Sequence, residues 1–486
     1  MSALCRTNRG MSLLILAGTV FQLIVVLLFY SNMYPHIQRL LPDDTFYYLT
    51  IARNISAGMG SVFSPGEPTN GYHPLWMGVL TAADFIIKPD RVQFIFITLL
   101  LSVVFNAMTA RALGGLLGHL GFSSDLKVLG AGLYMVLPWL VLLNLSGMET
   151  PLFFLCLVFF FTMLLRTLDP FSGKGRHILL GVSAGLLFLS RTDSVFFILA
   201  GAAVLIAGTK GGAGRAKLLL AGAVSGLIAL PWVTWCTVRF GSPVQASGYA
   251  LAHLRWHTMY PVTSFKYWIY NGGRSFHKLA VLFVSPLSYR YGDFDTIVPL
   301  WADVLVFVLM AGAILWLIKH RKRVVFPAFI WLPSLLILLF YTFVRLASAV
   351  WHLSVFALLL LFTVLNAARV HGVGRRFPAI LLTGCLLLNI YTLGNGFYYP
   401  QQAVDPMGLA ISLGEDRPGT LRIGSTDAGY LGYFSGHEVV NLDGVVNHRA
   451  YLHIREGTLG TYISGLGLDI VMIQEEARDF YTRNDP

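Results

Sequence analysis

Long apolar runs dominate this sequence and limit what it can fold into. Runs of roughly 17–25 residues recur along most of its 486 residues, and a helix of that length spans the hydrocarbon core of a bilayer. Only 12% of the residues are charged, whereas soluble domains carry about twice that share. The sequence therefore predicts an all-α polytopic membrane protein.

The apolar runs predict about eleven transmembrane helices. The first run, Met11–Tyr30, is long for a signal peptide and lacks a small-x-small cleavage site, which favours an uncleaved anchor. The segment Leu75–Ile87 is short and contains Asp84, so we interpret it as a helix lying at the membrane interface. The predicted spans lie near 11–31, 91–116, 126–145, 151–168, 177–190, 194–209, 217–236, 298–318, 324–344, 350–368 and 377–394.

The basic residues predict the orientation of the chain. The formal net charge is +11, but the lysines and arginines lie in short loops between apolar runs, so nucleic acid is not the indicated partner. Arg6 and Arg9 place the N-terminus in the cytoplasm, and the KHRKR run at 319–323 belongs on the same side. This orientation places the loops 32–90 and 237–297 and the tail 396–486 outside, with 1–395 as the transmembrane domain.

The tail 396–486 is no longer hydrophobic and predicts a small α/β domain. Short apolar segments at Leu421–Gly424, Glu438–Leu442 and Asp469–Ile473 are typical of buried strands, with helical patterns at 428–434 and 448–464 between them. The four cysteines indicate neither a disulfide framework nor a metal cluster, because three lie in apolar spans and one in the N-terminal tail.

Two adjacent carboxylates, Asp43 and Asp44, open the first outer loop. A short helical pattern follows them and ends near Gly58, after which a Gly/Pro/Ser/Asn-rich loop leads to His73-Pro74. One interpretation is that either aspartate caps the helix that follows. The other is that one of them is a general base toward an acceptor hydroxyl, with a pKa raised by burial and by its neighbour.

Further charged residues lie at predicted outer turns. Glu149 in SGMETP is either a turn cap or a functional acid. Arg191 and Asp193 in SRTD form either a structural ion pair or a ligand site. Arg345 and His352 either face a shared cavity or lie at the interface, with the arginine snorkelling.

The outer loop 237–297 interleaves basic and aromatic residues. Basic side chains are natural partners of phosphate, and the aromatic ones either stack on a sugar or prenyl chain or form an interfacial belt. The phosphate-binding candidates are Arg255, His257, Lys266 and Arg274. The segment Gly424–Gly436 lacks both G-x-G-x-x-G and GKS or GKT, which favours a sharp strand-to-helix turn over a nucleotide site.

The stretch DDTFYYLTIARNISAGMGSVFSPGEPTNGYHPLW resembles the first outer loop of the GT-C glycosyltransferases, which use polyprenyl-phosphate-linked sugars. Within that superfamily it is most similar to the branch of bacterial arabinofuranosyltransferases, which shows turns similar to SGMETP, SRTD and DAGYLGYFSG…VVNLDG. HPLW is similar to the His-Pro-Pro-Leu element of the protein O-mannosyltransferases, with one proline fewer here.

The resemblance implies roles for individual residues. It makes Asp43 the first candidate for the catalytic base and Asp44 the alternate. It implies that Glu149 orients acceptor or donor and that His73 shapes the site. Arg191 and Arg345 lie where such enzymes place donor-binding cations. The remaining substrate-binding candidates are Asp193, His352 and Tyr47.

The predicted activity is inverting transfer of a sugar from a polyprenyl monophosphate to an outer hydroxyl on a glycan, lipid or protein. Arabinofuranose is the first choice of sugar, and mannose or another hexose is the second. We expect no cofactor and no tightly bound metal, although the aspartate pair could hold a divalent cation with the donor phosphate. The expected location is the plasma (inner) membrane of a bacterium.

Two alternatives from other classes stay open. A lipid or sugar transporter or flippase would also have many spans, but it should show inverted repeats or paired broken helices, and the sequence shows neither. A binding or assembly protein would keep the fold without needing the acids.

Overall fold

The computed structural model is mostly helical. It describes residues 2–31, 40–169, 173–208, 212–250, 265–284, 300–324, 327–344, 349–372, 374, 376–398, 406–416 and 420–473. Its membrane-region helices are α1 Ser2–Ser31, α2 Asp43–Ser56, α3 Pro74–Ile87, α4 Arg91–His119, α5 Ser124–Val136, α6 Pro138–Asn144, α7 Thr150–Thr167, α8 Lys174–Ser190, α9 Val195–Gly208, α10 Gly212–Phe240, α11 Phe265–Val284, α12 Leu300–Lys319, α13 Pro327–Leu339, α14 Val355–His371 and α15 Phe377–Tyr398.

Seven of the described helices are long and apolar enough to cross a membrane, by length and composition. An eighth span forms if α5 and α6, which meet at a bend of 53°, count as one. Pro138 starts α6 and explains the break, because proline cannot donate the hydrogen bond that would continue α5. The other predicted spans coincide with the shorter helices α8, α9 and α13. The fold class is confirmed, and the count of eleven spans stays a prediction.

Helix α3 matches the short segment that the sequence assigned to the membrane interface. It begins at Pro74, whose fixed φ suits a first helical position. Its 14 residues extend about 21 Å, which is shorter than a bilayer core. The apolar side chains of Phe85 and Ile86 near its end are exposed. The helix is confirmed, and its place at the interface stays a prediction.

The C-terminal region forms a small α/β unit. Strands β1 Arg422–Ser425, β2 Glu438–Asn441 and β3 Ile470–Met472 form a parallel sheet in the order β2-β1-β3. Helices α16 Pro406–Asp416, α17 Gly429–Phe434, α18 His448–Glu456 and α19 Leu459–Gly465 complete it. The predicted strands are confirmed to within a residue or two. The predicted helical stretch 448–464 is two helices, because Gly457 adopts a φ of 71° and ends α18.

The α/β unit packs into the same hydrophobic core as the membrane-region helices. Phe46 of α2 lies 4.5 Å, centroid to centroid, from the ring of Tyr430 and 5.4 Å from those of Tyr433 and Phe434. One cluster of buried side chains includes Phe46 together with Ile423 and Tyr430 of the unit. Helix α15 also continues past the predicted boundary at 395. The N-terminal end of α2 therefore packs against the C-terminal unit.

Candidate active site

Asp43 and Asp44 are the first two residues of α2. The interpretation that either caps this helix is wrong, since the N-cap residue is Pro42 and no side chain caps it. Asp43 instead reaches across to the start of α17, where its Oδ2 accepts the N–H of Gly429 at 2.9 Å and its Oδ1 accepts that of Tyr430 at 2.8 Å. The Asp43 carboxylate therefore joins α2 to the C-terminal unit.

The contact between Asp43 and α17 needs a glycine at position 429. A Cβ added to Gly429 would collide with the Asp43 main-chain oxygen and lie 2.7 Å from Oδ2. The turn after β1 therefore brings backbone directly against the carboxylate, as glycine permits.

We expect Gly429→Ala to lower the free energy of unfolding by about 1–3 kcal/mol, as overpacking does in a close contact. Gly465→Ala is the matched control in the same unit, because a Cβ there meets nothing within 4 Å. Thermal unfolding of the two purified variants measures the difference. Equal melting temperatures for both would contradict the close contact.

Asp44 differs from Asp43 in its partners. Across the described ranges, no residue donates a hydrogen bond to the Asp44 carboxylate, and the side chain is only partly buried. Burial, followed by the negative charges of Asp43, Asp427 and Glu149, raises the pKa of Asp44 to about 8. Burial also raises the pKa of Asp43, against the lowering effect of its hydrogen bonds. Asp44 is thus the carboxylate available to a ligand.

The C-terminal unit brings two more carboxylates to this region, and the sequence analysis missed both. Asp427 is exposed in the turn between β1 and α17. Asp443 follows β2; its Oδ1 accepts the Val445 N–H at 2.8 Å, and burial raises its pKa well above the usual range. The signal was available, because both lie in short turns directly after strands, in TDAG and NLDG.

Tyr47, a predicted substrate-binding residue, lies buried at the joint between α2 and the C-terminal unit. Its hydroxyl accepts the Ala428 N–H at 3.0 Å and an Asn441 side-chain N–H at 3.3 Å, and it donates to the Thr426 carbonyl at 3.4 Å. These contacts hold the joint together and leave the hydroxyl fully engaged by protein.

Glu149 lies beside the aspartates and is 1% exposed. It precedes α7 but makes no capping bond. Its Oε2 accepts the Tyr48 hydroxyl at 3.3 Å, and that hydroxyl accepts the His73 N–H at 3.0 Å. Its Oε1 lies 3.7 Å from His73 Nε2 and 3.8 Å from an Arg191 guanidinium nitrogen. The structure thus brings together three residues that the sequence predicted from separate loops.

Arg191 and Asp193 form a buried two-pronged ion pair, with nitrogen–oxygen distances of 3.1 and 2.6 Å. The guanidinium also donates to the Trp351 carbonyl at 2.7 Å and lies over the Phe153 ring at 5.0 Å. These contacts tie the end of α8 to α7 and to the turn before α14. Arg191 is therefore engaged by protein groups on several sides.

His352 joins the same network through Tyr341. The two rings stack at 4.5 Å, and the Tyr341 hydroxyl donates to Asp193 at 3.0 Å.

Lys266, one of the phosphate-binding candidates, is exposed at the start of α11. Arg255, His257 and Arg345 lie outside the described residues, as does the side chain of Arg274.

An open apolar groove runs along α3 beside His73. Two adjoining cavities of about 540 and 600 Å³ form it between α3 and α10. Both are lined by Tyr72, Pro74, Gly78, Ala82 and Trp232. Among the residues that the structure describes, no three His, Cys, Asp or Glu side chains converge to hold a metal ion.

Comparison with known proteins gives distant likenesses to solved structures. No protein-family model matches the sequence, and a search of curated proteins finds no match. The Archaeoglobus fulgidus oligosaccharyltransferase in the apo form is 13% identical with a TM-score of 0.49, covering 88% of this chain and 64% of its own. The same organism's AglB with an inhibitory peptide and a dolichol-phosphate is 13% identical with a TM-score of 0.47, covering 88% and 65%.

A third structure, ArnT from Cupriavidus metallidurans bound to undecaprenyl phosphate, is 14% identical with a TM-score of 0.42, covering 96% of this chain and 90% of its own. The chain spans less than two thirds of the length of the archaeal enzymes. At these identities the likenesses assign no activity.

Proposed function

We propose that this chain is a membrane glycosyltransferase that moves a sugar from a polyprenyl monophosphate to an acceptor hydroxyl. The observation that carries the proposal is Asp44, a carboxylate near the other acids and without a hydrogen-bond donor among the described residues, at the start of α2. Its pKa of about 8 suits proton transfer near neutral pH. The resemblance of the surrounding segment to GT-C enzymes supplies the reaction class.

The geometry favours Asp44 over Asp43 as the base, the reverse of the order that the resemblance implies. Both Asp43 oxygens already accept main-chain N–H groups. Hydrogen bonds to a carboxylate stabilise its charged form and weaken it as a proton acceptor. Asp43 would then hold the C-terminal unit in place while Asp44 meets the substrate.

In the proposed reaction, Asp44 takes the proton of the acceptor hydroxyl. The acceptor oxygen forms a bond to the anomeric carbon on the face opposite the phosphate. The bond between that carbon and the phosphate oxygen breaks, and its electron pair leaves with the lipid phosphate. A direct displacement of this kind inverts the configuration of the sugar.

The groove along α3 is the proposed site of the lipid chain. Trp232 and the small residues Gly78 and Ala82 give it an apolar wall, and its lining residues Tyr72 and Pro74 flank His73. A chain in the groove with its phosphate near His73 would bring the sugar toward Glu149, whose Oε1 lies 3.7 Å from His73 Nε2. Arg191 is held by Asp193, so Arg345 and the basic residues of 237–297 remain the proposed cations for the leaving phosphate.

We propose arabinofuranose as the sugar and a bacterial cell-envelope glycan as the acceptor, with mannose or another hexose as the second choice. The proposed location is the plasma membrane, with the acids on the outer side. A transporter or flippase is the alternative from another class.

A donor panel tests the proposal. The purified protein would receive synthetic polyprenyl-phosphate arabinofuranose, polyprenyl-phosphate mannose and a nucleotide sugar, each with a simple sugar alcohol as acceptor. Transfer from a lipid donor but not from the nucleotide sugar supports the proposal. Movement of labelled lipid across vesicles without any transfer would instead indicate a flippase.

The pKa of Asp44 predicts a pH dependence. The base acts only when deprotonated, so kcat/KM should rise with pH along a limb centred near pH 8. Asp427→Asn removes a negative charge that raises this pKa, so the limb should move to lower pH. Rate profiles of both proteins measure the shift. An unchanged limb in the variant would mean that the group titrating in the rate profile is not Asp44.

A further inference from the structure

Gln245 connects three groups next to the candidate site. It lies after α10 and is 4% exposed. Its Nε2 lies 3.3 Å from the Tyr72 carbonyl oxygen and 3.2 Å from His73 Nδ1. Its Oε1 accepts the Thr192 hydroxyl at 3.1 Å. Because the side chain is buried and bonded on both ends, its amide orientation is fixed.

These contacts determine which nitrogen of His73 carries the hydrogen. A main-chain carbonyl only accepts hydrogen bonds, so the amide atom facing Tyr72 must be the NH₂ group. The second N–H of that group points at His73 Nδ1, which must therefore accept. In a neutral imidazole the hydrogen then lies on Nε2. Gln245 thus holds His73 in the tautomer that donates from Nε2.

The donating nitrogen faces a carboxylate oxygen that lacks a donor. His73 Nε2 lies 3.7 Å from Glu149 Oε1, which is too far for a hydrogen bond. Glu149 Oε1 is buried and has no hydrogen-bond partner among the described residues. A buried acceptor in this state carries a desolvation penalty, which a bound donor would remove.

We propose that His73 Nε2 and Glu149 Oε1 together bind one hydroxyl group of a sugar substrate, with Gln245 as the positioning residue. A hydroxyl accepts and donates at once, so its oxygen would accept from Nε2–H while its hydrogen is donated to Oε1. The His73 side chain is 20% exposed, and its sequence neighbours Tyr72 and Pro74 line the groove. This inference rests on the proposed glycosyl transfer and names a contact within it.

Two substitutions of His73 provide a matched test. In His73→Gln the amide nitrogen takes the place of Nε2, so the donor toward Glu149 is kept. In His73→Asn the amide nitrogen takes the place of Nδ1, so the donor toward Glu149 is lost. We expect His73→Asn to raise KM about 10–100-fold with a smaller effect on kcat, as for a lost hydrogen bond in a charged pair. His73→Gln should retain most of the affinity.

Deoxy and deoxyfluoro sugars identify the hydroxyl. In the wild type, one deoxy position should raise KM by a similar factor, and fluorine there should not restore binding, because it cannot donate to Glu149. In His73→Asn that penalty should largely disappear. One series varies the donor sugar and the other the acceptor, so the position found shows which substrate the pair contacts.

The tautomer has a readout that does not depend on activity. In ¹⁵N-histidine-labelled protein at pH 8, the His73 signals, assigned with His73→Gln, should show a protonated Nε2 and an unprotonated Nδ1. Gln245→Glu offers Nδ1 an acceptor instead, so the hydrogen should move to Nδ1 and KM should rise.

The outcomes separate this inference from the proposed function. An active enzyme with equal KM in His73→Gln and His73→Asn, or a protonated Nδ1 in the wild type, would overturn the hydroxyl contact alone. A wild type that transfers no sugar from any lipid donor would overturn both.

Discussion

Replacing Asp44 with asparagine should reduce kcat about 10²–10⁴-fold, the range expected when a general base is removed. KM and thermal stability should change little, because no described residue donates a hydrogen bond to this carboxylate and asparagine has the same shape. Asp43→Asn should behave differently. The asparagine side chain has a single accepting oxygen, so it can keep the bond from Gly429 N–H or from Tyr430 N–H but not both. We therefore expect a loss of about 1–3 kcal/mol in the free energy of unfolding.

The two variants assayed together distinguish a role in catalysis from a role in holding the C-terminal unit. Initial rates with a polyprenyl-phosphate donor give kcat, and thermal unfolding in detergent gives stability. Full activity in Asp44→Asn would remove the proposed base. A folded, stable Asp43→Asn without activity would return that role to Asp43.

Arg191→Met should give the largest loss of stability, about 3–5 kcal/mol, because it leaves Asp193 charged and buried without its partner. The pair is almost fully buried, with a shortest distance of 2.6 Å. Arg191→Lys should be intermediate, since lysine keeps the charge but not the two-pronged geometry. Unfolding curves of purified variants measure these differences.

The exposed pair between Arg176 and Asp169 is the control. Its shortest distance is 2.9 Å and its side chains are 45% and 44% exposed, so Arg176→Met should cost no more than about 1 kcal/mol. Comparable losses in the free energy of unfolding for Arg191→Met and Arg176→Met would show that burial does not make the Arg191 pair more important for stability.

Local signals in the sequence predicted much of the fold. Alternating turns and short apolar segments located the three strands, and the proline after His73 located the start of α3. The break of α5 at Pro138 and the division of the stretch 448–464 at Gly457 depend on single residues within otherwise continuous patterns, so the sequence analysis predicted one element at each place.

The site was only partly predictable. Glu149, Arg191 and Asp193 stand out because charged residues are rare in this chain and these lie at turns between apolar helices. The contact between Asp43 and Gly429 joins residues 386 positions apart, and nothing local to either segment indicates it. For the same reason the sequence did not indicate that Asp43 is the aspartate that contacts α17, and the proposed reversal of the order rests on that contact.

Gln245 shows a different limit. It is a neutral residue in a segment of ordinary polarity, and its importance comes only from the Tyr72 carbonyl and the His73 ring beside it. Tyr48 is similar, since its hydroxyl connects His73 to Glu149 only in the folded chain.

The configuration of the product tests the central claim most directly. The purified protein would receive a polyprenyl-phosphate pentose of defined anomeric configuration and a sugar alcohol, and NMR coupling constants would give the configuration of the new bond. Direct displacement with Asp44 as base predicts transfer with inversion. Retention of configuration, or no transfer from any lipid-phosphate donor, would contradict the account.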